Sequence, residues 1–402
     1  MNTIVKKINA SSMTSSDFTE AAALLKEGKL VAFPTETVYG LGGDAFDPTA
    51  SKRIYEAKGR PSDNPLIVHI ADVSELEKLC VDVPQIAYDL AEQFWPGPLT
   101  MILKKADCIP KETTGGLDTV AIRMPSHPIA RQLIIEAGLP IAAPSANASG
   151  RPSTTKAQHV IEDLDGRIDM IIDGGSADIG LESTIVDLTC TPAQILRPGY
   201  ITIEKLRNVI HDIAYDPAVL KRVQNDDIVA RAPGMKYRHY APKGDLTIFE
   251  GEPMQVISAI CKAAGEKLET GAKVGILASE EYAGTYRVVL GQYERREDRP
   301  WQRMTQKKWA QDEYGRWIEV EVPEEKNYSD YAGNLFIEVV GSRENEETIA
   351  ANLFDTLRRY DTLEIPYIFG EAFTSDNLGA AIMNRLVKAA GYHIEKVDED
   401  RQ

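Results

Sequence analysis

The stretch LVAFPTETVYGLGG, from Leu30 to Gly43, constrains this chain more than any other. It opens with Leu30, Val31, Ala32 and Phe33, the composition of a buried strand. Hydroxyls and one carboxylate follow at once in Thr35, Glu36 and Thr37, and then Gly40, Gly42 and Gly43. A buried strand that ends in polar side chains and glycines is one way an α/β sheet presents a ligand. The polar groups sit beyond the strand, and glycine lets backbone N–H groups approach closely. Read alone, the same residues also describe a strand followed by an ordinary glycine-rich turn.

Short strands and helices alternate around this stretch, which predicts an α/β fold. Helical patterns fall at 18–28, 49–58 (with a cap signal at Thr49), 73–80, 84–94 and 128–137. Strand patterns fall at 30–33, 66–70, 99–103, 119–123, 141–143, 170–173 and 184–188. A helix at 201–210 closes a first domain, 1–210. Residues 211–244 carry proline, charge and aromatics without clear periodicity and read as a linker. A smaller α/β domain then covers 245–402, with helices near 253–269, 346–359 and 378–390 and strands near 274–277, 335–340 and 365–369. Inside it, 292–329 is rich in charge and holds Trp301, Trp309 and Trp317. It fits neither neighbour and reads as an insertion, with a partner surface or dimer contact as its conceivable uses.

Composition narrows the functional classes. With 402 residues the chain is long enough for two or three well-buried cores. No window is apolar enough to span a membrane, and the N-terminal stretch lacks the apolar centre of a secretory signal. Cys80, Cys108, Cys190 and Cys261 are scattered and form no CxxC pair, so free thiols in a reducing cytosol are expected. The net charge of −16 argues against tight non-specific nucleic-acid binding, which rests on neutralising phosphates. It leaves room for a local cationic pocket that takes a small anion.

There is no Walker A pattern and no GxGxxG after a strand. The loop Lys58-Gly59-Arg60-Pro61-Ser62-Asp63-Asn64-Pro65 offers another route to a polyphosphate, through one ammonium and one guanidinium fork two residues apart. It is equally readable as a solvated basic loop. PSANASGRPS at 144–153 places small hydroxyl and amide groups directly after a strand, as a ligand contact or as a Ser/Asn-rich turn. His69 lies within LIVHI, where a lone histidine is usually a satisfied core residue. Arg123 ends TVAIR, where it can anchor a carboxylate or pair with an acid. APGMKYRHYAP at 232–242 is dense in aromatics and cations for a linker and could close over a site as a lid, or simply pack. With six histidines and no ligand spacing, nothing calls for a protein-held catalytic metal.

Together, FPTETVYGLGGDA, KGRPSDNPLIVHI, FWPGPLT, DTVAIRMP, PSANASGRPS, ESTIVDL and ILRPG resemble, in order, the YrdC-like domain of the threonylcarbamoyl-AMP synthase family. APGMKYRHYAP matches the linker of its long, two-domain form. ANLFDTLRRYD and LGAAIMNRLVKAAG resemble its Rossmann-like C-terminal domain. The insertion at 292–329 is not part of that pattern.

The resemblance implies a YrdC-like twisted mixed sheet with helices, a linker, and a smaller Rossmann-like domain. It implies a nucleotidyltransferase that converts L-threonine, bicarbonate or CO2, and ATP to L-threonylcarbamoyl-AMP and pyrophosphate. The product would feed N6-threonylcarbamoyladenosine formation at position 37 of ANN-decoding tRNAs, through a separate transferase complex. Lys58, Arg60, Ser145 and Asn147 are implied as the catalytic set. Thr37, His69, Arg123, Ala143 and Ser183 are implied for threonine. Lys58, Arg60, Asn64, Thr119, Ser145, Asn147, Ser153, Arg197 and Tyr237 are implied for ATP. Mg2+ would arrive with ATP, held mainly by phosphates and water, and the protein would be cytoplasmic. The rivals are a hydrogenase-maturation carbamoyltransferase, whose zinc-finger CxxC pairs and acylphosphatase-like segment this chain lacks, a carbamoyl-adenylate-forming enzyme with another acceptor, and a non-catalytic RNA-binding module.

Overall fold

The computed structural model describes residues 2–220, 230–233, 239–291 and 333–397, together with strand segments 293–294, 302–303, 305–311 and 317–323. They fall into two compact units.

The first unit comprises residues 1–241, 350–358 and 374–392. Its centre is a mixed sheet of 11 strands. From edge to edge these are Ile4–Lys7, Met170–Asp173, Val31–Phe33, Gly40–Asp44, Ile141–Ala142, Ile67–His69, Thr119–Arg123, Leu99–Lys104, Thr184–Asp187, Ala193–Arg197 and Ile213–Tyr215. The expected mixed α/β class is therefore present. Side chains alternate across a strand, and the core shows it. Leu30 and Ala32 enter one apolar cluster with Tyr39, Leu41 and Val68, whereas Val31 and Phe33 enter a second with Leu25, Leu133 and Ile172. A one-residue slip would turn both sets to the wrong face.

The glycines of the opening stretch serve this packing. Gly40–Asp44 runs antiparallel to Val31–Phe33, with Gly42 opposite Val31. A Cβ on Gly42 would lie 2.7 Å from Ile141 Cγ2 and 2.8 Å from Phe33 Cε1. The sequence leaves these glycines to a ligand or to an ordinary turn; at Gly42 the need is to let two neighbouring side chains meet over the strand. The helix Pro48–Lys58 is capped by Asp47, whose carboxylate accepts from Thr49 N, not by Thr49 itself. Proline is tolerated at N1 because its missing N–H would be an orphan there. Gly59, at φ 63°, ends the helix in the left-handed region. The stretch after 210 opens with the edge strand Ile213–Tyr215, parallel to Ala193–Arg197. Only Ile213 of its three residues is buried, so it lacks the apolar run that marks 30–33 and carries no strand signal.

The second unit comprises residues 242–349, 359–373 and 393–402. Its sheet is all parallel, in the order Leu335–Gly341, Val274–Ser279, Tyr367–Glu371, Asp245–Gly251, Ile394–Val397. Helices Pro253–Glu269 and Glu280–Gly291 bury Ile257, Ile260, Leu268, Tyr286 and Leu290 with Val274 and Ile276 of the sheet. Within 292–329 the described backbone pairs Thr305–Gln311 with Trp317–Pro323, and Tyr293–Glu294 with Gln302–Arg303, both antiparallel.

Candidate functional site

A single pocket of the first unit brings together most of the residues singled out from the sequence. Thr37, Lys58, Arg60, His69, Arg123, Ala143, Ser145, Asn147, Ser153 and Arg197 all line it. Ile67 and His69, two apart and so on one face of their strand, form part of the wall, and His69 pairs in register with Arg123.

Arg123 organises one side. It is 4% exposed, and its guanidinium donates to Thr37 Oγ1 at 2.9 Å and to Glu36 Oε1 at 2.7 Å. Burial pushes the Glu36 carboxyl up, but the Arg123 charge, the hydrogen bond from Arg123 and backbone hydrogen bonds together hold it below its ordinary value. Thr35 Oγ1 shares a hydrogen bond with Thr37 Oγ1 at 2.8 Å and donates to Val38 O at 2.6 Å, which rigidifies the turn after Val31–Phe33. His69 is 3% exposed, with Nδ1 3.1 Å from Ile67 O. A carbonyl only accepts, so Nδ1 carries the proton and Nε2 is left as an acceptor. Burial, and then the Arg123 charge, lower the His69 pKa to about 3, so the ring is neutral near pH 7.

Lys58 organises the other side. It is the last residue of its helix and 3% exposed, and its ammonium donates to the carbonyls of Ser145 and Asn147. Burial, and then Arg60, pull its pKa well below the ordinary lysine value. Lys58 thereby fixes the turn after Ile141–Ala142, where Ser145 Oγ donates to Asn147 Oδ1 at 2.5 Å. Arg60 donates to Asn64 O at 3.2 Å and Pro65 O at 3.0 Å, which folds the 60–65 loop back on itself.

Ser183, Asn64 and Thr119 fall outside the lining. Ser183 stands behind Arg197: its carbonyl accepts from Arg197 Nε at 2.9 Å and its hydroxyl from Nη2 at 3.1 Å, with Thr100 Oγ1 2.7 Å away. Asn64 is buried, with its carbonyl used by Arg60 and by the Tyr55 hydroxyl. Thr119 is half-buried at the start of its strand, opposite Lys104. Tyr237 lies outside the described residues.

Thr35, Tyr39, Ser149, Gly150, Glu182, Pro233, His239 and Tyr240 also line the pocket; they lie within the stretches marked from the sequence but carry no individual ligand assignment there. The aromatic and cationic density of 232–242 was the available signal for the last three. Tyr240 stacks on Phe354 with centroids 5.2 Å apart, and Ala241 N donates to Gly150 O at 2.9 Å. Glu182 had no local signal beyond its place before a strand.

Fold and site define a class: an α/β protein whose first unit gathers lysine and arginine side chains around a small-molecule pocket on a mixed sheet. A family model described as "Telomere recombination" matches residues 23–199, and one described as "Threonylcarbamoyl-AMP synthase, C-terminal domain" matches 201–391. A Pyrococcus abyssi protein named threonylcarbamoyl-AMP synthase is 44% identical over 94% of this chain and 95% of its own. A Bacillus subtilis protein of the same name is 46% identical over 92% of each. The structure of P. abyssi Sua5 complexed with L-threonine, 42% identical, matches at a TM-score of 0.80 over 99% of this chain and 100% of that one. The chain belongs to the threonylcarbamoyl-AMP synthase family. Among the described residues no helix is long and apolar enough to cross a membrane, and no group of three or more His, Cys, Asp or Glu could hold a metal ion.

Proposed function

We propose that the chain makes L-threonylcarbamoyl-AMP from L-threonine, bicarbonate or CO2, and ATP, releasing pyrophosphate. The observation that carries this reading is the convergence of Arg123 with neutral His69 and of Lys58 with Arg60 in one pocket, in a chain that aligns nearly end to end with named synthases. Threonine is a carboxylate with an amine and a hydroxyl. Arg123 supplies the carboxylate anchor, while Thr37 and His69 Nε2 offer the polar contacts.

The chemistry then needs positioning and charge stabilisation. The threonine amine attacks CO2 and loses a proton, giving the carbamate. A carbamate oxygen attacks the α-phosphorus of ATP, and the bond to the bridging oxygen of pyrophosphate breaks. Lys58, Arg60 and Arg197, with Ser145, Asn147 and Ser153, are the groups we assign to the nucleotide. Mg2+ enters with ATP, coordinated by phosphates and water. Carbamate and mixed anhydride both decay in water, which gives the segment bearing Tyr237 and Tyr240 a use as a lid. The product would pass to a tRNA threonylcarbamoyltransferase in the cytoplasm.

The direct test is product formation. Purified protein with labelled bicarbonate, ATP and threonine should yield a threonylcarbamoyl-adenylate by mass spectrometry. Serine should give markedly less. If removal of 231–242 left product yield unchanged, the lid assignment would fail while the synthase reading stood.

A further inference from the structure

Among the described residues that line the pocket, four are cationic, Lys58, Arg60, Arg123 and Arg197, and the one carboxylate is Glu182. An acid in the wall is a liability for a site that takes ATP, which carries about four negative charges near pH 7. The structure shows what offsets it. Arg385, on the helix Asn377–Ala389, is fully buried and donates from Nε to Glu182 Oε2 at 2.9 Å. Its Nη1 donates to Pro198 O at 2.6 Å. The other carboxylate oxygen accepts from Ser153 Oγ at 2.5 Å. Arg358, also buried, grips the same turn from behind, donating to Pro152 O at 2.6 Å and to Asp163 Oδ2 at 2.8 Å.

We infer that Arg385 is a positioning residue that acts through Glu182: it cancels the only negative charge among the described residues of the pocket wall and so sets the affinity for ATP. This rests on the synthase reading above. The choice of ATP over threonine follows from charge. Threonine is a zwitterion of zero net charge, whereas a polyphosphate is repelled by any unpaired carboxylate in the low-dielectric wall. Burial alone would push the Glu182 carboxyl up, but the charges of Arg385 and Arg197 together with the hydrogen bonds from Ser153 and Arg385 hold it below its ordinary value, so Glu182 remains a charge when Arg385 is present. Without Arg385, Glu182 would also compete with the nucleotide for Arg197.

The test measures ATP and threonine affinity by calorimetry and both KM values by pyrophosphate release, in the full chain. Arg385→Gln should raise the Kd and KM for ATP on the order of tenfold or more, with those for threonine within about threefold. The double variant E182Q/R385Q removes the charge as well as its partner and should recover most of the ATP affinity, since a neutral buried pair is tolerated where a lone charge is not. Glu182→Gln alone, whose amide oxygen can still accept from Ser153, removes the negative charge and keeps the Arg385 cation, so its Kd for ATP should lie at or below that of the double variant. Equal losses for both substrates in Arg385→Gln, or no recovery in the double variant, would reduce Arg385 to a structural residue and overturn the inference. If Arg385→Gln fails to fold, the double variant and Glu182→Gln decide it: weakened ATP binding in both would overturn it. A wild-type chain that binds no ATP would overturn the synthase reading itself, and this inference with it.

Discussion

Two of the buried arginine–carboxylate pairs of the first unit face the pocket in opposite senses. In Arg123–Glu36, 2.7 Å apart, the arginine lines the pocket and the acid lies behind it. In Arg385–Glu182, 2.9 Å apart, the acid lines the pocket and the arginine lies behind it. A buried pair contributes little net stability, because desolvation offsets the attraction, but losing one partner strands a charge. The difference is therefore functional. The first pair presents a cation to the pocket, where we propose that it meets the substrate carboxylate. The second presents a hydrogen-bond acceptor that orients Ser153 while its charge is cancelled from behind.

The largest expected effect is at Arg123. Arg123→Ala removes the proposed anchor and leaves Glu36 buried and unpaired. Threonine-dependent turnover should fall by roughly a hundredfold or more, and urea unfolding should show a loss of about 3–5 kcal/mol. Unchanged threonine affinity in a folded variant would break the comparison at its first half. Removing the acid instead should do far less: Glu36→Gln leaves the cation in place and still accepts a hydrogen bond. We expect threonine affinity equal or tighter, and a stability loss of about 1–3 kcal/mol. A large drop in threonine affinity there would mean that Glu36, not Arg123, touches the substrate.

The pH dependence sharpens the same contrast. His69 has a folded pKa of about 3 against 6.5 for the free side chain, so between those values the unfolded chain binds more protons. Stability contributed by the neutral ring is present above pH 6.5 and is lost as pH falls toward 3, at up to about 1.4 kcal/mol per pH unit. Glu36 and Glu182, both held below their ordinary values, also lose stability as they protonate on the acid side. Urea midpoints at pH 7 and 4.5 should differ, and His69→Gln should flatten the slope. An unchanged slope would place the acid sensitivity elsewhere. The smallest effect concerns the second unit: excising 292–329 should change neither ATP nor threonine affinity by more than about twofold. A larger change would give that insertion a part in the site.

Much of the site was legible because its residues sit at recognisable places in short motifs. The strand at 30–33 announced itself by an apolar run, and KGRPSDNP and PSANASGRPS by small or cationic groups beside strands. What local pattern could not reveal was partnership across the chain. Nothing in ESTIVDL says that Glu182 is held by a residue 203 positions later. Arg385 did leave a trace. Leu378, Ala381, Ile382, Arg385, Leu386 and Ala389 follow helical spacing and are all buried, so the arginine sits within the apolar stripe of its helix. A cation there demands a buried acid. Arg358 repeats the signal, four residues after buried Phe354. Ser183 shows the same limit from the other side: its place before a strand resembles a ligand position, and only the structure shows that its hydroxyl also meets Arg197 and Thr100. The glycines at 42 and 43 were ambiguous because close approach looks the same in sequence whether the neighbour is a ligand or a side chain.

The measurement that bears most directly on the account is pyrophosphate release from ATP and bicarbonate, with and without L-threonine, in the wild-type chain and in Lys58→Ala and Arg123→Ala. The account predicts release that requires threonine, is weak with serine, and is lost in both variants. Release that ignores threonine, or survives both substitutions, would contradict it.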